Sequence, residues 1–184
     1  MKSAPALLAM ILAFALALAQ PAQADSTAGA RLPSMLREDG RTLQRVSCGT
    51  RDSLWIDHYD AGLYIPRGAS IDVVRDPAGA KAVVIRMITT RYLPDNIPGK
   101  WLEALQRETP PEPMARVRRA YRRLSDGDVM TIAYRPETGV TIGVNGGRVA
   151  QVGGHAVIDA ILQAWAGEKT VAEKLQDLST EHPC

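Results

Sequence analysis

The stretch DHYDAGLYIP, residues 57–66, brings an imidazole, two phenols and two carboxylates into one run ending at a proline. His58 stands between Asp57 and Asp60, side-chain types that ligate metals or relay protons. The spacing elsewhere gives such chemistry no support. The other histidines, His155 and His182, are far away in sequence. None forms H-x-x-H or H-E-x-x-H, and no cysteine lies near one, so a metal would need ligands from distant segments. No G-x-S-x-G elbow, phosphate-cradling P-loop or strand-following G-x-G-x-x-G occurs, and Gly146-Gly147 and Gly153-Gly154 read as turns. The residues themselves therefore point to no catalytic set, no metal and no cofactor.

The first residues bear on compartment. Lys2 precedes an apolar run from Ala6 to Ala19, followed by Ala22-Gln23-Ala24. A basic start, a short apolar core and small residues at an A-x-A site make a cleavable signal peptide, residues 1–24. The apolar run is shorter than the roughly 20 residues that cross a bilayer, so no stable span is expected after cleavage. The expected location is periplasmic or secreted. Residues 25–184 then form a single domain, long enough for a sizeable core. Cys48 and Cys184 are the only cysteines. An oxidising compartment favours a disulfide between them, with two unpaired thiols as the alternative.

The elements that would position these groups are mixed. RTLQRVSC and LWIDHYDAGLYI read as strands, with Gly49-Thr50-Arg51-Asp52-Ser53 as the turn. Alternation puts Trp55, Tyr59, Ala61, Leu63 and Ile65 on a core side, with His58, Asp60 and Tyr64 opposite; a bulge at Gly62 would reverse that parity. Residues 25–40 suggest a loop and an edge strand, and 69–76 one or two helical turns. KAVVIRMITTRYL, from Lys81, has apolar residues of both parities and fits a strand covered on both faces.

Asp95 or Asn96 should cap a helix with Pro98 in its first turn, carrying Trp101, Leu102 and Leu105. A second helix, 112–124, has Met114, Val117, Tyr121 and Leu124 on one stripe. VMTIAYR, VTIGV and RVAQV form a meander whose last turn is Asn145-Gly146, a strong hairpin signal. Val157, Ile158, Ile161, Leu162 and Trp165 mark a helix capped near Gly167, and Thr170 with Glu173 starts a final one. The sum is an α+β domain: an antiparallel sheet with helices packed mainly on one side.

Charge excludes little. The formal net charge is +2, and loss of Lys2 brings the mature chain near neutrality. Arg116, Arg118, Arg119, Arg122 and Arg123 cluster on the second helix and could meet nucleic acid or anionic headgroups. Export argues against nucleic acid, and a solvated helix back is the simplest role.

GTRDSLWIDHYDAGLYIP resembles a signature of exported bacterial chalcone isomerase-like proteins: a Gly-x-Arg turn, then a Tyr-x-x-x-Leu-Tyr-like strand ending in Pro. The resemblance continues through LSDGDVMTIAYRPETGVTIGVNGGRVAQV to a closing helix that ends in Trp-x-Gly. It implies the chalcone isomerase-like fold, an open-faced β-sandwich in which helices cover a curved antiparallel sheet. It also implies what is missing. Arg51 falls where the family arginine holds the substrate anion. The expected threonine is Tyr59, the tyrosine and asparagine positions fall on Ile97 and Ala104, and a later polar position falls on Ala164.

The same resemblance suggests why Arg51 remains. Fatty-acid-binding relatives hold carboxylates with an arginine and a tyrosine, and a guanidinium grips a carboxylate through two parallel bonds. Arg51, Tyr59 and Tyr64 are accordingly the candidate ligand-binding residues, for a fatty acid or other small apolar carboxylate. The alternative role for Arg51 is an ion pair that seals the turn. Alternative functions are a lyase or isomerase using Arg51 with a substituted tyrosine, and a ligand-free scaffold or interaction domain.

Overall fold

A computed structural model describes residues 32–53 and 55–166. The signal segment, Leu54, Gly167, the Thr170–Glu173 cap, His182 and Cys184 lie outside the described residues, as does the Trp165 side chain. Seven strands follow one another in a curled antiparallel sheet: β1 (Met35–Glu38), β2 (Arg41–Ser53), β3 (Ile56–Pro66), β4 (Lys81–Met87), β5 (Val129–Arg135), β6 (Gly139–Val144) and β7 (Gly147–Val152). A 3-10 turn, Ile71–Val74, links β3 to β4. Helices α1 (Gly99–Glu108) and α2 (Pro111–Tyr121) precede β5, and α3 (His155–Ala166) follows β7. Every strand pairs with its neighbour in sequence, through tight turns at most junctions and through α1 and α2 between β4 and β5.

One sheet face carries the main core. Ala61, Leu63 and Ile65 of β3, Val83 and Ile85 of β4, and Ile132 of β5 pack under Leu105, Val117, Ile158 and Ile161 of the helices. The expected parity of β3 holds from Tyr59 to Ile65, and β4 is covered on both faces as expected. On the other face a smaller cluster joins Leu43, Tyr64, Ala82, Val84 and Ala133 under Leu32. The Asn145-Gly146 turn is as expected, with both φ angles positive at 51° and 75°.

The β2–β3 hairpin corrects two expectations. Residues 49–53 are strand, and the reversal comes at Trp55, which has φ 68° and is fully exposed at 101%. Trp55 therefore belongs to a turn and not to the core. Gly49 and Asp52 carry turn propensity, but pairing with β3 through Ser53↔Ile56 outweighs it. The sheet bulges elsewhere than at Gly62. Arg45 faces Tyr64 and Ser47 faces Leu63, leaving Val46 extra; Arg51 faces Tyr59 and Asp52 faces Asp57, leaving His58 extra. Pro98 stands at the N-cap of α1, where it makes no side-chain capping bond, so neither Asp95 nor Asn96 serves.

Candidate functional site

Arg51 and Tyr59 are directly opposite partners in the β2–β3 ladder. Opposed residues in an antiparallel pair project from the same face, here the helix-covered one. They share that face as cross-strand neighbours. Arg51 is exposed and Tyr59 half-buried. Burial pushes the Tyr59 phenol above its usual range, with the Arg51 guanidinium opposing the shift. Among the described residues Arg51 has no carboxylate partner, so the turn-sealing ion pair is not formed there.

Tyr59 leads inward. Burial, and then Tyr59, pushes the Tyr121 phenol up, and both residues pack against the same core cluster. Tyr121 in turn lines an apolar seam between sheet and helices with Ile97, Trp101, Leu105, Met130 and Ile161. Its free volume is only about 20 Å³, room for about one water. Ile97 and Ala104 are both buried, so where the family resemblance places polar groups the chain has apolar packing. The Ala164 side chain lies outside the described residues.

Tyr64 is on the other side of the sheet. Its hydroxyl donates to the Pro33 carbonyl at 2.7 Å, and Arg45 donates to the Leu32 carbonyl. Burial pushes the Tyr64 phenol up to about 12, with Arg45 opposing. The pair thus pins the segment preceding β1 over the outer face. Cys48 is buried at 8% exposure on that same face, opposite Gly62. The structure therefore brings Arg51 and Tyr59 together and separates Tyr64 from them.

Two polar clusters escaped the sequence reading. Across three strands of the outer face, Thr50 donates to Asp60 at 2.7 Å and Arg86 forms an ion pair with the same carboxylate. Asp60 is thus a structural acceptor, and His58 instead sets its ring edge-on to Tyr92. At the far end of the sheet Lys81 has no exposed surface. Its ammonium donates to the Val74 and Asp76 carbonyls and lies 3.2 Å from His155 Nε2. The only signal was a lysine opening an apolar strand, which by itself reads as an edge charge. Among the described residues no group of His, Cys, Asp and Glu could hold a metal ion.

Chemically, the inner-face arrangement offers an exposed cation and a phenol at the entry to an apolar seam. It can bind an anion's head, and among the described residues the seam behind it is lined by apolar side chains with the Tyr121 phenol. A model of the chalcone isomerase-like family matches residues 24–178. Among solved structures the chain is similar to a fatty-acid binding protein of Arabidopsis thaliana, with a TM-score of 0.50 and 12% identity, covering 80% of this chain and 90% of that one. At such identity the likeness is one of fold. No curated protein matches the chain.

Proposed function

Because the chain belongs to the chalcone isomerase-like family, we propose that it is an exported, non-catalytic member that binds a small apolar carboxylate such as a fatty acid. The observation that carries this reading is Arg51, without a carboxylate partner among the described residues, set opposite Tyr59 at the entry to an apolar seam. The guanidinium and phenol supply donors for a carboxylate head. The seam behind Tyr121 supplies apolar walls for a tail, and each methylene buried there contributes about 0.8 kcal/mol. The fatty-acid binding protein that shares the fold supports the same ligand class.

The seam as described is closed, so a tail enters only as α1 and α2 move off the sheet. That closed packing, about 20 Å³ of free space, favours the second reading, a scaffold domain whose cleft is filled by its own side chains. Titration with straight-chain acids of increasing length, and with the matching alcohols, separates the two. Under the binding reading affinity rises with length, and Arg51→Ala weakens acids more than tenfold while leaving alcohols nearly unchanged. Equal weakening of both series leaves Arg51 a structural role only. No binding by the wild type at any length gives the case to the scaffold reading.

A further inference from the structure

The entry to the Arg51–Tyr59 site is surrounded by side chains for which the fold has no use. Trp55, at the tip of the β2–β3 hairpin, has no buried surface and a left-handed backbone conformation. A tryptophan there sacrifices apolar burial and adopts a φ that costs strain outside glycine. The loop after β4 rises beside it: Ile88 and Thr89 donate backbone bonds to the His58 carbonyl. That loop presents Tyr92, 52% exposed, edge-on to His58 and under the Arg91 guanidinium at 5.4 Å.

Cationic surface runs on from this point. Arg122, at the end of α2, lines a cleft with Thr90, Leu93 and Tyr121 beside the entry. The same Arg122 lines an open groove of about 610 Å³ with Arg118, Arg119, Met114 and Pro111. Among the described residues only Arg116 of the α2 arginines has an acidic partner, Glu112. Asp95 lines the first cleft, and Asp126 is already an acceptor for Thr90.

We infer that this end of the molecule docks on an anionic bilayer surface, with Trp55 and Tyr92 in the headgroup layer and the α2 arginines on the phosphates. Aromatic rings with one polar edge partition to that layer, and arginine forks match phosphate oxygens. The inference deepens the carboxylate-binding reading and rests on it for its purpose: docking there faces the entry toward the membrane in which such acids dissolve. Apolar anchors paired with guanidinia favour a lipid surface over a nucleic acid, which the groove charge alone would also attract.

Vesicle flotation and tryptophan emission test this, using phosphatidylcholine vesicles with and without phosphatidylglycerol, inorganic phosphate, and a duplex oligonucleotide. The expected result is flotation with anionic vesicles and a blue shift that is absent from Trp55→Phe. Trp55→Ala/Tyr92→Ala and Arg118→Glu/Arg122→Glu each reduce flotation at least tenfold. Both variants bind free fatty acid in vesicle-free solution as the wild type does. Phosphate up to the lipid concentration leaves flotation unchanged. Absence of flotation while free acid still binds overturns the docking inference and leaves the binding reading intact. Flotation without acid binding keeps the docking surface and removes its proposed purpose. Tighter binding to the oligonucleotide, or flotation unaffected by the variants, overturns it as well.

Discussion

The Lys81 ammonium lies 3.2 Å from His155 Nε2, a contact that joins the first residue of β4 to the first residue of α3. A charged lysine only donates, so with Lys81 protonated Nε2 accepts and the imidazole is neutral. Burial, then the Lys81 charge, lowers the imidazole below its ordinary value of 6.5, against the opposing pull of Asp159, Asp76 and Glu108. The Tyr134 ring stands edge-on at 5.4 Å and brings no charge of its own near neutrality.

The sign of the pH effect follows. An imidazole whose folded pKa lies below its unfolded one contributes its full stability above about pH 6.5 and loses it as pH falls through the folded value, because the unfolded chain binds the proton more readily. Melting temperature should therefore fall on acidification below about pH 6.5, and His155→Gln, which keeps an acceptor toward Lys81, should flatten that part of the profile. An unchanged slope in the variant would show that other groups carry it.

Lys81 itself is held at about 8, chiefly by burial and against Asp76 and Asp159. Its value to the fold lies in the Val74 and Asp76 carbonyls it satisfies. Lys81→Met fills the space but strands the buried Val74 carbonyl, at about 1–3 kcal/mol, while the Asp76 carbonyl still accepts from the Gly79 N–H. Urea denaturation should show a loss in that range with an unchanged m-value. A neutral or stabilised variant would mean that water replaces the ammonium.

Tyr64 and Pro33 separate two roles for one phenol. Tyr64→Phe removes only the hydroxyl that donates to the Pro33 carbonyl, a loss of about 0.5–1.5 kcal/mol. Limited proteolysis should cut sooner near residues 32–34, while affinity for acids stays at the wild-type level. A selective loss of acid binding would return Tyr64 to the ligand site.

We also propose that Cys48 and Cys184 are bonded. Closing so long a loop stabilises by at most about 5 kcal/mol in the chain-entropy model. Thiol titration of the denatured, unreduced protein should find none free, and two free thiols would sink the proposal.

Chalcone isomerisation should stay at background. Catalysis needs substrate and water held together, and misplacement by about 1 Å costs roughly 100-fold. Ile97 and Ala104 are buried apolar groups where the resemblance places orienting polar ones. Turnover that disappears in Arg51→Ala would overturn this expectation.

Local pattern was enough for the order of the described elements. Alternation from Tyr59 to Ile65, the two-faced run at Lys81 and the Asn145-Gly146 turn each act over a few residues, so each is written in neighbouring side chains. The resemblance carried by Gly49-Thr50-Arg51 and the Tyr59–Pro66 strand likewise marked the family. Where the β2–β3 hairpin turns depends on pairing energy summed along two long strands, which local propensity at Gly49 and Asp52 cannot supply. That shift made Arg51 and Tyr59 partners across a ladder and sent Trp55 into solvent. The Lys81–His155 and Asp60–Arg86 contacts join residues far apart in the chain. Only closure of the sheet and docking of α3 brings such groups within hydrogen-bond reach, so tertiary structure alone decided them.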